Sequence, residues 1–238
     1  MRTLVTYACN EYNDRIDFFI KHGIFEADDV DFLFVINNTT LKLDVPPFVK
    51  VMNRDNTGYD FGGWSYGLLT DDNYKKYECF IFLNQSIVGP FHKDTSTRWT
   101  DVFIGGLTND IRLFGSTIST RQDPIKFPHV QSYAFCVNQE TLKFLIDKEI
   151  FSLKNIPDTK DDAIFGREIQ MSLEIIKNGW NIGSLDNYYR GVDFRFKDKK
   201  PEEYDIVWLD DFTYPNFESI LFTREDVLFL KGNRGFMY

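Results

Sequence analysis

Apolar residues in this chain fall in short, nearly unbroken runs separated by polar turns. The first, residues 4–9, ends at Asn10-Glu11, and residues 14–22 then carry Ile16, Phe19 and Ile20 at helical spacing before Gly23. A second run over 30–36 closes on Asn37-Asn38-Thr39-Thr40, a third covers 48–52, and a fourth over 79–83 stops at Asn84-Gln85-Ser86. Runs that are apolar at almost every position, rather than at alternate ones, predict strands covered on both faces. Between the third and fourth lies a polar, glycine-containing stretch, 53–63, that leads into a helix through about residue 69. Further on the pattern predicts a helix over 99–107, a strand over 113–119, a strand over 133–137 and a helix over 140–146. A long helix follows over 161–178, with Gly179 as its C-cap. The βαβ rhythm holds for roughly the first 140 residues. It predicts an α/β, Rossmann-type fold: a mostly parallel central sheet flanked by helices.

No linker, internal repeat or low-complexity block divides the sequence, so a single domain is expected over 1–238. Within it, 1–95 forms mainly the nucleotide-binding part, 96–195 the acceptor and catalytic part, and 196–238 a charged and aromatic tail packed on the same domain. Charge changes the picture in one respect. With 27 Lys+Arg against 36 Asp+Glu the net charge is −9, and no basic run follows a phosphate backbone, which excludes nucleic acid as the expected partner. An acidic protein that handles an anionic ligand needs local donors instead: backbone N–H groups at helix starts, single Arg or Lys side chains, or a divalent cation. The aromatic content of 17% exceeds what a core requires; packing is its main expected destination, with some rings left to line a groove. Cys9, Cys79 and Cys136 sit in apolar contexts without metal-ligand spacing, which predicts buried thiols in a reducing compartment. The first residues run directly into a strand and no apolar run approaches bilayer length, so the expectation is a cytoplasmic protein without a leader or membrane span.

In an open α/β sheet, ligands bind where loops converge at the carboxyl ends of the strands. Four polar loops fall at such ends: Ala8-Cys9-Asn10, Asn37-Asn38, residues 54–63 and residues 84–90. In the third, the glycines permit close backbone approach and positive φ, and Asp60 can accept hydrogen bonds from ribose hydroxyls or a base N–H. The plainer reading is a tight turn with Asp60 as a helix N-cap. The glycine spacing matches neither a P-loop nor a dinucleotide fingerprint.

Several segments in fixed order carry a family resemblance: NRDNTGYDFGGWSYGL at 53–68, FIFLNQSIVGPF at 80–91, Trp99 with Phe103, RLFGST at 112–117, HVQS at 129–132, and REIQMS at 167–172 followed by Gly179-Trp180. Together, over about residues 1–195, the chain resembles the rhamnan synthesis protein F family and related small glycosyltransferases of the GT-A type. The resemblance implies transfer of a sugar from a nucleoside-diphosphate donor (UDP-, GDP- or dTDP-sugar) to a glycan or saccharide acceptor. It implies a donor site from Ala8, Asn10, Asn37, Arg54, Asn56, Gly58 and Asp60, with Asn84, Gln85 and Ser86 meeting the diphosphate. GT-A enzymes usually carry Asp-x-Asp at that last place to hold Mn or Mg, and related members often read Asn-Asp-Ser or Asn-Ser-Ser. This chain keeps the flanking pattern without the carboxylate, so a divalent cation lacks its usual ligands and no metal set is assigned.

For the acceptor, an inverting transferase needs a base for the hydroxyl proton. Glu168 matches the acidic position of the family's Glu-x-x-x-Ser helix and is the first candidate; its alternative is an ordinary helix carboxylate. Asp101 is a reserve, as is the Asp161-Asp162 pair, although the pair reads more simply as a helix-start device. His129 is a candidate for the diphosphate or a metal, or else a satisfied structural histidine, while Gln131 and Ser132 are candidates for sugar hydroxyls. Arg54, Arg121, Arg167, Arg190 and Arg195 are possible phosphate partners, with surface ion pairs the alternative for each. Two other classes remain open: a glycan-binding or scaffold protein that kept the fold and lost activity, and a nucleotidyltransferase, which would need clustered carboxylates for two metals.

Overall fold

The computed structural model of the chain describes residues 1–92, 94, 96–120, 126–204 and 223–232. Arg121, the stretch Trp208-Leu209-Asp210-Asp211 and more than half of the 196–238 tail lie outside these residues. The apolar runs form the strands β1 (Thr3–Cys9), β2 (Val30–Ile36), β3 (Lys50–Asn53) and β4 (Cys79–Asn84), followed by the short β5 (Ile87–Val88). The expected strand over 113–119 divides into β6 (Ile111–Gly115) and β7 (Ile118–Ser119), and β7 pairs with β8 (His129–Val130) as a small antiparallel hairpin. Then come β9 (Ala134–Asn138), β10 (Asn181–Ser184) and β11 (Leu230–Lys231).

Seven of these form one sheet in the order β10-β6-β9-β4-β1-β2-β3. β1 is parallel to both β2 and β4, β2 to β3, and β10 to β6. β9 lies antiparallel between β4 and β6. The continuous parallel rhythm expected to residue 140 therefore breaks there. Parallel neighbours need a long crossover, usually a helix, and the chain reaches β9 from β6 through the β7–β8 hairpin instead.

Helices cover both faces. α1 (Asp14–Gly23) begins at Asn13, whose side chain accepts from the backbone N–H groups of Arg15 and Ile16. α2 spans Tyr59–Leu69, α3 Trp99–Gly105 and α4 Gln139–Asp147. The long C-terminal helix is α5 (Lys160–Ala163), a π-helical turn (Ile164–Ile169) and α6 (Gln170–Lys177). A capping box between Thr159 and Asp162 starts it, so Asp162 works as a helix-start device, and Gly179 at φ 84° ends it. A last short helix, α7 (Arg224–Val227), precedes β11.

Alternation along β1 divides the core. Leu4 and Ala8 join a cluster with Trp64 and Leu68 of α2, Leu142 of α4 and Met171 of α6, whereas Val5, Tyr7 and Cys9 join Ile16 and Phe19 of α1 and Trp99 and Phe103 of α3. At the centre Phe82 and Phe135 stack with centroids 4.7 Å apart. Trp64 sets its edge on both rings and donates its indole N–H to the Leu83 carbonyl at 3.1 Å. Each such ring, fully removed from water, contributes roughly 1.5–3 kcal/mol. All three thiols are buried and unpaired, as expected. Burial pushes the Cys9 thiol up to about 12 and Cys79 up to about 11. Among the described residues no helix is long and apolar enough to cross a membrane.

Gly62 and Gly63, read from the sequence as part of a ligand loop, lie inside α2. Gly63 and Gly67 face the sheet one turn apart. A Cβ at Gly67 would sit 2.7 Å from a Val35 methyl, and one at Gly63 would sit 3.1 Å from the Asn37 amide. The glycines therefore serve helix–sheet contact. Positive φ is needed one turn earlier, where Gly58 at φ 73° begins the helix.

Candidate functional site

At the carboxyl ends of β1, β2 and β4 a cavity of about 480 Å³ opens between those strand ends, the start of α2 and the π-helical turn. Asn10, Asn37, Asn56, Asp60, Asn84, Gln85, Ser86, Ser132 and Glu168 all line it. It is the ligand-side edge that parallel topology prescribes.

The loop after β4 is held rigidly. Gln85 donates from Nε2 to Asn10 Oδ1 at 2.6 Å, and its own Oε1 accepts the Asn10 backbone N–H at 2.7 Å. Asn84 Oδ1 accepts both the N–H (3.0 Å) and the hydroxyl (2.5 Å) of Ser86, while Asn84 Nδ2 donates to Asp60 Oδ2 at 2.8 Å. Asp60 is therefore not the N-cap of α2; Gly58 holds that place without a side-chain cap, and the Asp60 carboxylate turns to the floor of the cavity. Burial pushes its carboxyl up to about 6; the Asn84 hydrogen bond opposes this, the Glu168 charge adds to it and Lys231 opposes it.

Asn37 fixes the approach to α2. Its Nδ2 donates to the Tyr59 carbonyl at 3.0 Å and its Oδ1 accepts from Arg54 Nη1 at 2.8 Å. Arg54 also clasps Thr57 through its carbonyl and hydroxyl, at 2.8 and 2.7 Å. The arginine thus shapes the loop from behind and is not among the residues lining the cavity. Gly58 lines a smaller neighbouring cavity of about 320 Å³, which shares Asn56 and Tyr59 with the first. Ala8 lies wholly in the core, contributing its carbonyl to the Gln85 N–H at 3.0 Å.

Across the cavity, Glu168 sits in the π-helical turn. Its Oε2 accepts the backbone N–H of Ser132 at 2.8 Å and the Ser132 hydroxyl as well, and its Oε1 lies 3.7 Å from His129 Nε2. His129 is buried, with Nδ1 against the Phe127 carbonyl at 2.8 Å, so it stands behind Glu168 and does not line the cavity. Gln131 is buried and accepts from the Thr117 hydroxyl at 2.7 Å, away from the lining. Asp101 is not brought to the site. It lies on α3 in an ion pair with Arg98, whose guanidinium also grips Asp29. Among the candidate arginines, Arg167 donates to the Asn155 and Gly166 carbonyls, Arg195 is held by Asp110 and Asp193, and Arg190 lines a separate cavity of about 380 Å³.

The cations that do line the cavity are Arg15, Lys160 and Lys231. Arg15 stands in the first turn of α1, immediately after β1, a position readable from the predicted strand–helix junction. Lys160 opens α5. Lys231 arrives on β11, which pairs antiparallel with β5, and the following N–H of Gly232 donates to the Ser86 carbonyl at 2.7 Å. No local signal in the sequence announces that pairing. Tyr59 and Tyr133 complete the wall.

The sequence profile of rhamnan synthesis protein F matches residues 36–209, nearly three-quarters of the chain. The chain belongs to the rhamnan synthesis protein F family. The match takes in the whole of the cavity except the end of β1, the start of α1 and β11. The family member is also similar to the virulence protein VirA of Vibrio anguillarum (strain ATCC 68554 / 775), 27% identical over 136 residues, which are 54% of this chain and 38% of VirA. A second VirA sequence of Vibrio anguillarum aligns with the same identity and coverage, so the chain spans well under half the length of the curated relatives it matches. Among solved structures, A197 from STIV overlaps 60% of this chain and 68% of its own at 14% identity and a TM-score of 0.32, too slight an overlap to carry an argument.

Proposed function

We propose that this member of the rhamnan synthesis protein F family transfers a sugar from a nucleoside-diphosphate donor to a glycan acceptor in polysaccharide or glycoconjugate synthesis. The observation that carries the reading is the meeting, in one cavity at the carboxyl ends of parallel strands, of Asn10, Asn37, Asn56, Asp60 and residues 84–86 with Glu168 on the facing wall. Amides and hydroxyls there match the hydrogen-bonding edges of a nucleoside and the oxygens of a diphosphate. The parallel order β3-β2-β1-β4 beside a reversed strand supports a GT-A type of sheet.

Glu168 is proposed as the base for an inverting transfer. It takes the proton of the acceptor hydroxyl as that oxygen attacks the anomeric carbon and the nucleoside diphosphate departs with the electrons of the glycosidic bond. Ser132 orients the carboxylate, and His129 stands behind it.

A Mn or Mg ion fits this donor set poorly. Asn84-Gln85-Ser86 offers no carboxylate, and Asp60 and Glu168 are engaged by Asn84 and Ser132. Among the described residues no group of three His, Cys, Asp or Glu side chains is arranged to ligate a metal, which also disfavours two-metal nucleotidyl transfer.

The reading is tested by thermal unfolding with UDP, GDP, dTDP and CMP, each with and without manganese. A ligand that binds only the folded state raises Tm by mass action. One base standing out is expected. No shift with any of the four would move the assignment to a glycan-binding protein on the same fold.

A further inference from the structure

Three acidic side chains, Glu11, Asp60 and Glu168, line the cavity. A diphosphate placed among them meets unfavourable charge unless cations compensate. In the usual arrangement of such sites a divalent ion fills that need. Here the chain brings in its own cation from far along the sequence. β11 lies antiparallel on β5, with Leu230 opposite Val88 and Lys231 opposite Ile87. The Gly232 N–H closes on the Ser86 carbonyl at 2.7 Å, which ties the strand to the loop that follows β4. Val88 and Leu230 are fully buried and hold the pair down, while Lys231 keeps partial exposure and turns into the cavity.

Resting on the donor reading above, we propose that Lys231, carried by β11, supplies the positive charge opposite the donor's diphosphate, so that the site binds a nucleoside diphosphate without a divalent ion. Arg15 supports it from beside Gln85, whose carbonyl accepts its Nε–H at 3.1 Å. An ammonium at that wall stabilises both the bound diphosphate and the charge that grows on it as the sugar leaves. Lys231 also favours the charged form of the Asp60 carboxyl, against the upward push of burial.

The test compares wild type, Lys231→Met and Lys231→Arg by calorimetric titration with UDP, GDP and dTDP, and with uridine, guanosine and thymidine. Each titration is run in EDTA and again in manganese. The backbone of β11 makes the pairing, so both variants are expected to fold, and their unfolding curves check this. In EDTA, wild type should bind one nucleoside diphosphate tighter than its nucleoside. Lys231→Met should lose about tenfold or more for the diphosphate and little for the nucleoside, and Lys231→Arg should retain most of the affinity. Unchanged diphosphate binding in Lys231→Met, or wild-type binding that requires manganese, overturns the inference and leaves the donor reading standing. No binding of any nucleoside diphosphate by wild type overturns both.

Discussion

Ser132 donates twice to one oxygen of Glu168, so that carboxylate is oriented by the β8–β9 connection before any ligand arrives. The second oxygen lies 3.7 Å from Nε2 of His129, and Glu168 as a whole lines the cavity. This arrangement lets the base reading be tested with little disturbance, because in Glu168→Gln the amide oxygen can still accept from the Ser132 N–H. Turnover is expected to fall by about 10²–10⁴-fold while diphosphate binding is retained, both measured on the same preparation. A fully active Glu168→Gln would remove the role. Asp101, the reserve for it, lies on α3 with its carboxylate paired to Arg98. Asp60 shows the opposite lesson. The residue was legible as a candidate, yet its partner Asn84 lies at the end of β4, and a contact from the first turn of a helix to the end of a later strand is not written in local spacing.

At the scale of elements, strands were legible because they are continuous apolar runs, and β2 coincides with its predicted bounds. The direction of β9 was not. A strand buried on both faces reads as the same run whether parallel or antiparallel, and only the hairpin before it decides the outcome. α2 was mistaken at its start for the same kind of reason. Glycine is a poor helix former, so a glycine pair reads as a loop, whereas here contact with β1 and β2 outweighs propensity. Gly67→Ala tests that account. The added methyl gains about 1 kcal/mol of intrinsic helix preference but meets Val35 and Leu33 in a closed core, an overpacking cost of roughly 1–3 kcal/mol. Net destabilisation is expected in urea unfolding. A stabilised variant would show that α2 can move off the sheet without cost.

For the molecule as a whole, two desolvated carboxyls contribute to the response to pH: Asp186 in the core and Asp60 on the cavity wall. Burial raises both Asp60 and Asp186 to about 6, against hydrogen bonds that favour the charged forms. A carboxyl whose folded value is raised stabilises the fold while protonated and loses that contribution as pH climbs through the folded value. Asp29 works in the other direction: Arg98 holds it down at about 2, so its contribution is lost only in strong acid. Melting temperature is therefore expected to decline as pH rises from about 4 past 6. Asp186→Asn, at a site almost closed to water, should make that decline shallower in a pH series of thermal scans. An unchanged slope would place the titration elsewhere.

One side of the cavity is held by a contact between residues 86 and 232, more than half of the chain apart. All seven strands of the main sheet precede residue 185, so a growing chain has every piece of its sheet well before it has β11. Until that last ribbon docks on β5, the nascent molecule holds three carboxylates around an incomplete charge balance. The charge that faces the cavity is therefore settled late, by a strand far along the chain from the loop it braces.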